Sequence, residues 1–326
     1  MNDNNSQNRI SLTEKVPLNK PLVIHIETTN RCNFRCKFCP ESDPNYSNLS
    51  GGYKIMKIND FKKIIDNIKL SFNKISRLRL WIMGEPLINP DIFSMIDYAK
   101  KVDIADSVEL TSNASLINSQ KASSIINSRL DLIKISIYGF NNNDFKSTTN
   151  SGIPFNKILE NIKLLFEMRN STPSSNLKIM AKTVGEISDK KLTKYMNLLS
   201  KHVDYIEINQ IHSWTDSQDS IGQNSTINNQ KAFKEVCPFP FYTLAIHSDG
   251  KLSPCCVDWK KEVFLGNCLE ESLDSIWSGN KIKDLRLSHL KRDLNSHIGC
   301  KGCDYFIDNT SDNLDSLKIE EYVKRY

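Results

Sequence analysis

The feature that most constrains this chain is an alternation. From about residue 21 to residue 210, short β-rich runs are separated by longer stretches of helical period. Parallel strands need a crossover long enough to hold a helix, so this alternation reads as repeated βα units building a parallel sheet. Six strands are predicted, at about 22–27, 76–83, 107–112, 132–138, 177–184 and 203–210. Between them, Phe61, Ile64, Ile65, Ile68 and Phe72 fall on one helical stripe, and Phe155, Ile158, Leu159, Ile162, Leu165 and Phe166 on another. Such stripes are core-facing. Six units in a row curve more readily than they lie flat, so the expected fold is α/β, a partial (β/α)6 barrel of TIM type. Its chemistry would gather at the C-terminal ends of the strands.

After the sixth strand the pattern changes. Residues 213–236 are rich in Ser, Asn and Gln and read as a linker, and a second unit spans about 237–309. That unit has a hairpin at 243–253, turning at Asp249-Gly250, and one helical stretch from 273 to 290. A polar extension at 1–20 and a charged tail at 310–326 flank the two units. Apolar runs are strand-sized, well short of the roughly 20 residues that a membrane-spanning helix needs. Residues 1–16 have no apolar h-region. The expected location is cytoplasmic, without a membrane partner. The net charge of +5 is spread over surface helices such as 57–69, so these are solvated faces and not a nucleic-acid patch.

Nine cysteines in a cytoplasmic chain point to metal or catalytic roles, because reducing compartments disfavour disulfides. Cys32, Cys36 and Cys39 form C-x3-C-x2-C directly after the first strand. Zinc usually takes four ligands. Three thiolates without a nearby His suit a four-iron cluster with one iron left open.

With this motif in that place, the chain resembles the radical SAM superfamily. The resemblance implies that Cys32, Cys36 and Cys39 hold a 4Fe-4S cluster whose open iron chelates S-adenosylmethionine. Gly84-Glu85-Pro86 would read the methionine amino group, Asn113 and Ser136 would reach the ribose and carboxylate, and Phe38 would lie beside the adenine. Outside the resemblance, Gly84-Glu85-Pro86 is an ordinary turn, and Asn113 and Ser136 are turn formers. Lys182 on the fifth strand reads as a surface lysine that could pair with the cofactor carboxylate, and Ile208 on the sixth as core that could pack on adenine.

Six cysteines remain: Cys237, Cys255, Cys256, Cys268, Cys300 and Cys303. They suffice for one fully ligated auxiliary cluster. The spacing Gly250-x4-Cys255 with the distant Cys300-x2-Cys303 resembles the auxiliary-cluster domain called SPASM, or its shorter form, twitch. The cysteine count favours twitch. By that resemblance Cys237, Cys255, Cys300 and Cys303 are the ligands of a second 4Fe-4S cluster. A zinc ribbon on the same four residues is the alternative. Cys256 and Cys268 are left over, as inert thiols or as hydrogen donors.

The expected activity is that of a radical SAM oxidoreductase. The resemblance implies a 5′-deoxyadenosyl radical that abstracts hydrogen from an unactivated carbon. In the favoured reading a carbohydrate, aminocyclitol or similar small alcohol is dehydrogenated, and the auxiliary cluster takes up the electron. Epimerisation of the same substrate class, with Cys256 or Cys268 as donor, is the runner-up. Peptide modification is a third reading, disfavoured because the roughly 20 residues before the first strand leave no room for an N-terminal peptide-binding module. A plain electron carrier would need neither the open iron nor Gly84-Glu85-Pro86. Partners would be the small-molecule substrate and an electron donor such as flavodoxin or ferredoxin. His212, Ser213, Trp214, Tyr138 and Tyr242 are candidates for lining the pocket.

Overall fold

The computed structural model describes residues 11–185, 189–209, 211, 234–307 and 312–326. His212, Ser213 and Trp214, with most of the expected linker, lie outside the described residues. The six strands are β1 Val23–Ile26, β2 Ile75–Arg79, β3 Ala105–Ser112, β4 Leu132–Ser136, β5 Lys178–Val184 and β6 Tyr205–Asn209. They are parallel and lie side by side in chain order. Helices Ile58–Phe72, Ile92–Val102, Ser119–Asn127, Phe155–Asn170 and Asp189–Leu199 fill the crossovers.

Chain-order strands with crossovers of one hand place every helix on the same face of the sheet. The sheet therefore curls as a partial barrel with helices outside. Ile24, Ile26, Leu78, Val108, Leu110, Ile133, Ile135, Ile179 and Ala181 face the helices and are buried against the two predicted stripes. Side chains alternate along a strand. The same alternation turns His25, Arg79, Glu109, Lys134, Lys182 and Glu207 to the concave face, where no helix covers them.

The second unit continues the same sheet. Strand β7, Thr243–Ile246, pairs parallel with β1 from Val23↔Thr243 to Ile26↔Ile246. Strands β8, Lys251–Ser253, and β9, Gly266–Asn267, extend it antiparallel, giving nine strands in the order β6-β5-β4-β3-β2-β1-β7-β8-β9. The predicted turn at Gly250 has φ +80°, and a Cβ there would stand 2.5 Å from Asn267 Oδ1. The helix expected over 273–290 is two helices, Leu273–Ser278 and Asn280–Leu290, because Gly279 is extended at φ −73°, ψ 166°. The apolar spacing carries on across that break and hides it.

The flanks are not loose appendages either. Leu12, Val16, Leu314, Leu317 and Tyr322 share a buried cluster with Val236, Phe241 and Leu290, and Arg325 donates to the Thr13 carbonyl at 2.7 Å. No helix among the described residues is long and apolar enough to cross a membrane.

Candidate functional site

Strand β1 delivers the chain into the Cys32–Cys39 loop, which is clamped on both sides. Asn30 Nδ2 donates to the Gly52 carbonyl at 2.9 Å, and Thr29 Oγ1 to the Lys54 carbonyl at 2.9 Å. On the other side Arg35 N donates to Thr149 O at 3.0 Å and Lys37 N to Thr148 O at 2.9 Å. Arg35 Nη1 donates to the Cys32 and Phe34 carbonyls, both at 2.7 Å, and pairs with Glu41 at 3.0 Å. Backbone groups of the loop are thus satisfied, and Cys36 has both Cys39 and Cys32 as electrostatic neighbours. Cys32 Sγ accepts from Phe34 N at 3.4 Å and from Asn113 Nδ2 at 3.8 Å.

Burial raises the pKa of all three thiols, and for Cys36 the neighbouring Cys39 and Cys32 add to it; Cys39 is pushed up to about 12. Buried thiols of this kind keep their protons at neutral pH unless a metal replaces them, and iron ligation does so. The donor set therefore fits an iron cluster.

Gly84 approaches this loop as only glycine can. Its φ is +75°, and a Cβ would stand 2.4 Å from the Thr29 carbonyl oxygen and 2.8 Å from that of Arg31. The next residue locks the contact, Glu85 N donating to Arg31 O at 2.7 Å. The Glu85 carboxylate is buried and turned to protein, accepting from Leu87 N at 3.1 Å, Ser112 Oγ at 2.8 Å and Asn113 N at 2.7 Å. It thereby ties the ends of β2 and β3 to each other. Asn113 in turn reaches Cys32 Sγ and Asn33 Oδ1. Across the loop, the Phe38 and Tyr138 rings meet edge to face at 4.6 Å, with Ser136 beside Tyr138.

Cys237, Cys255, Cys300 and Cys303 line one hollow, walled by Phe239, Pro240, Pro254, Val257, Leu294 and Phe306. Burial raises all four, Cys300 and Cys303 to about 12, with further contributions from one another. Four thiols around one hollow are the donor set of a fully ligated four-iron cluster, and the same four residues could hold a zinc ion. His289 also lines the hollow, fully buried; burial lowers its pKa to about 4, against the Cys237 backbone as its hydrogen-bonding neighbour.

The two leftover cysteines part company. The Cys256 thiol is pushed up by burial but faces Arg79 and Lys182 on the concave wall. With Cys39, it packs against a cluster of Tyr46, Ile82, Met83, Ala245 and Trp259, between the two cysteine groups. Cys268 turns the other way. Its thiol donates to the Gly250 carbonyl at 3.3 Å and its carbonyl accepts from Asn67 on helix Ile58–Phe72.

Lys182 is not a surface lysine: it is half-buried on the concave wall opposite Glu207, its pKa lowered by burial. Ile208 sits one residue off, on the helix-facing side with its register partner Thr183, and is 40% exposed. Tyr242 packs against Phe239 with the two rings tilted 37° to each other, beside the second cysteine group and at the start of β1, where its carbonyl accepts from Leu22 N and Val23 N. The sequence reading missed Arg79, Glu109, Lys134 and Trp81. Their signal was present as charged residues at every second position of otherwise apolar strands.

Comparison with known proteins agrees with this geometry. The model of the radical SAM superfamily matches residues 26–182, and that of an iron-sulfur cluster-binding domain, SPASM, matches residues 237–304. The chain is 26% identical over 286 residues to the GTP 3′,8-cyclase of Clostridium botulinum (strain Okra / Type B1), covering 76% of this chain and 85% of that protein. It is 24% identical over 231 residues to the GTP 3′,8-cyclase of Aquifex aeolicus, covering 70% and 68%. In fold it is similar to BtrN in complex with AdoMet and 2-DOIA, with a TM-score of 0.60, 13% identity and coverage of 91% of this chain and 96% of that one. Streptococcus suis SuiB bound to precursor peptide SuiA gives a TM-score of 0.66 at 16% identity, covering 84% and 69%.

Proposed function

We propose that this chain, which belongs to the radical SAM superfamily and carries an iron-sulfur cluster-binding SPASM domain, dehydrogenates a carbohydrate, aminocyclitol or similar small alcohol. The observation that carries this reading is the second four-thiol hollow, set beside the concave face of the barrel, where it can serve as an electron sink. When bound, the two 4Fe-4S clusters supply one electron to cleave S-adenosylmethionine and accept one electron from the substrate.

Cys32, Cys36 and Cys39 would hold the first cluster, and Cys237, Cys255, Cys300 and Cys303 the second. Phe38, Gly84, Glu85, Asn113 and Ser136 are the proposed contacts to S-adenosylmethionine. In this reading Glu85 acts by holding Asn113 and the Arg31 carbonyl in position, because its own carboxylate is taken up by Leu87, Ser112 and Asn113. Bound S-adenosylmethionine would supply the acceptor for the carbinol hydrogen, a cluster held by Cys237, Cys255, Cys300 and Cys303 would accept one electron, and the hydroxyl proton would pass to a base.

The test is product analysis with anaerobically reconstituted enzyme, reductant, S-adenosylmethionine and a panel of hexoses, hexose phosphates and aminocyclitols. The expected product has lost two hydrogens, with one 5′-deoxyadenosine formed per turnover. A product of unchanged mass would overturn dehydrogenation.

Cys256 favours one second reading, epimerisation, since its thiol faces the space between the two cysteine groups. In that case the product formed in D2O would carry one solvent deuterium, and Cys256→Ser would abolish its formation. A ketone product from Cys256→Ser at the wild-type rate would remove this reading.

A further inference from the structure

Three cations share one carboxylate on the concave wall. Glu109 is 1% exposed; its Oε1 accepts from Arg77 Nη1 at 3.1 Å, its Oε2 from Arg79 Nε at 3.2 Å, and Lys134 Nζ stands 3.8 Å from Oε2. Glu207 acts on both Lys182, its register partner across β5 and β6, and Lys134. Among the described residues the wall thus sets four cations, Arg77, Arg79, Lys134 and Lys182, against two carboxylates, Glu109 and Glu207. Arg77 is half exposed, but the Arg79 side chain is only 25% exposed and that of Lys134 14%. His25 adds none, since burial, with Arg79 and Lys134 nearby, holds its pKa well below the usual range.

Partly desolvated charge without a partner is unfavourable, and a bound anion relieves it. The aromatic neighbour narrows the ligand's chemistry. Arg79 Cζ and Lys134 Nζ lie 5.6 and 5.7 Å from the centroid of Trp81, which is half-buried on the same face. With Nε on Glu109, the two terminal nitrogens of Arg79 remain as a fork matched to a tetrahedral oxyanion.

We infer that Arg79, Lys134 and Trp81 form a subsite for a phosphorylated substrate, the two cations taking the phosphate and the indole carrying the ring that bears it. The inference rests on the concave face being the substrate chamber.

The test is calorimetric titration of the anaerobically reconstituted holoenzyme, with S-adenosylmethionine bound, using inorganic phosphate, glucose 6-phosphate, guanosine 5′-triphosphate and glucose. Phosphate and a phosphorylated probe are expected to compete for one site, with glucose at least about tenfold weaker. Arg79→Gln and Lys134→Gln should each weaken the phosphorylated probe about tenfold, and added salt should weaken it further. The phosphorylated probe that binds distinguishes a sugar phosphate from a nucleotide.

Lys134→Gln keeps both Arg79 and Arg77 on Glu109 and so guards against a folding defect in Arg79→Gln. No binding of any phosphate-bearing probe, or equal binding to wild type and both variants, would overturn the inference. So would a shift in the second cluster's reduction potential in both variants with probe affinity unchanged, which would make the cations counter-ions of that cluster. Release of 5′-deoxyadenosine by the same preparation separates the two levels. Release without anion binding removes this inference alone, whereas no release removes the reading beneath it.

Discussion

Cys32, Cys36 and Cys39 lie within eight residues of each other, whereas Cys237, Cys255, Cys300 and Cys303 are spread over 67. The first group is shaped by main-chain hydrogen bonds: Arg35 and Lys37 on Thr149 and Thr148, Glu85 on Arg31, and Asn30 on Gly52 and Lys54. The second is brought together by side-chain packing around a hollow of Phe239, Val257, Leu294 and Phe306. A site held by main-chain hydrogen bonds depends on the backbone of the segments that clamp it more than on their side chains. A site assembled at long range depends on every element that packs on it.

The largest expected effect breaks the first group. Replacing Cys32, Cys36 and Cys39 with Ala should abolish cleavage of S-adenosylmethionine and lower the iron content from about eight to about four per chain. Assays of 5′-deoxyadenosine and iron check this, and retained cleavage would mean that the first group is not the cofactor site. Next, Cys300→Ala with Cys303→Ala should leave some cofactor cleavage while product formation is lost. Equal loss of both would show that the two regions are not independent.

Gly84→Ala sharpens the contrast by altering backbone alone. A Cβ at φ +75°, 2.4 Å from the Thr29 oxygen, should cost about 1–3 kcal/mol of strain and displace the loop. Affinity for S-adenosylmethionine should fall by about tenfold or more in equilibrium binding, with the second cluster's spectrum unchanged.

The smallest effect lies at the seam between the regions, where Asp249 on the β7–β8 turn meets Lys54 at 2.8 Å and Lys261 at 3.4 Å. Burial pushes the Asp249 carboxyl up, but the two lysines outweigh it and hold it down to about 2. A carboxyl whose pKa is lower folded than unfolded stabilises the fold above about pH 4, and that stability is lost as pH falls toward 2. Asp249→Asn should therefore cost about 2 kcal/mol at neutral pH and flatten that part of the acid-denaturation curve, as read from Tm against pH.

Local patterns were legible in the sequence, and long-range ones were not. The βα alternation, the two apolar helix stripes and the C-x3-C-x2-C loop rest on neighbours within a few turns, and each appears where it was read. The joining of β7 to β1 rests on hydrogen bonds between distant residues, which no local period encodes. The break at Gly279 was masked because the apolar period of 273–290 continues through it.

Lys182 was misread for a related reason. A lysine in a strand is ordinarily solvated, and its placement here follows from the curl of a sheet with all its helices outside. Arg79, Glu109 and Lys134 carried the same alternation, so the concave wall could have been read from the sequence once the barrel was assumed. Cys256 and Cys268 were indistinguishable by spacing, and the side of the chain each thiol takes is a property of tertiary packing.

The pairing of β7 with β1 also bears on how the protein is made. Val23 is joined to Thr243, so one edge of a wholly buried strand stays open until about 220 further residues have been synthesised. Contacts of such sequence separation form slowly, and an open strand edge invites pairing with other chains in the meantime. The strand that leads into the Cys32 loop is thus made before the other strands of its sheet and is among the last of them to be paired on both sides.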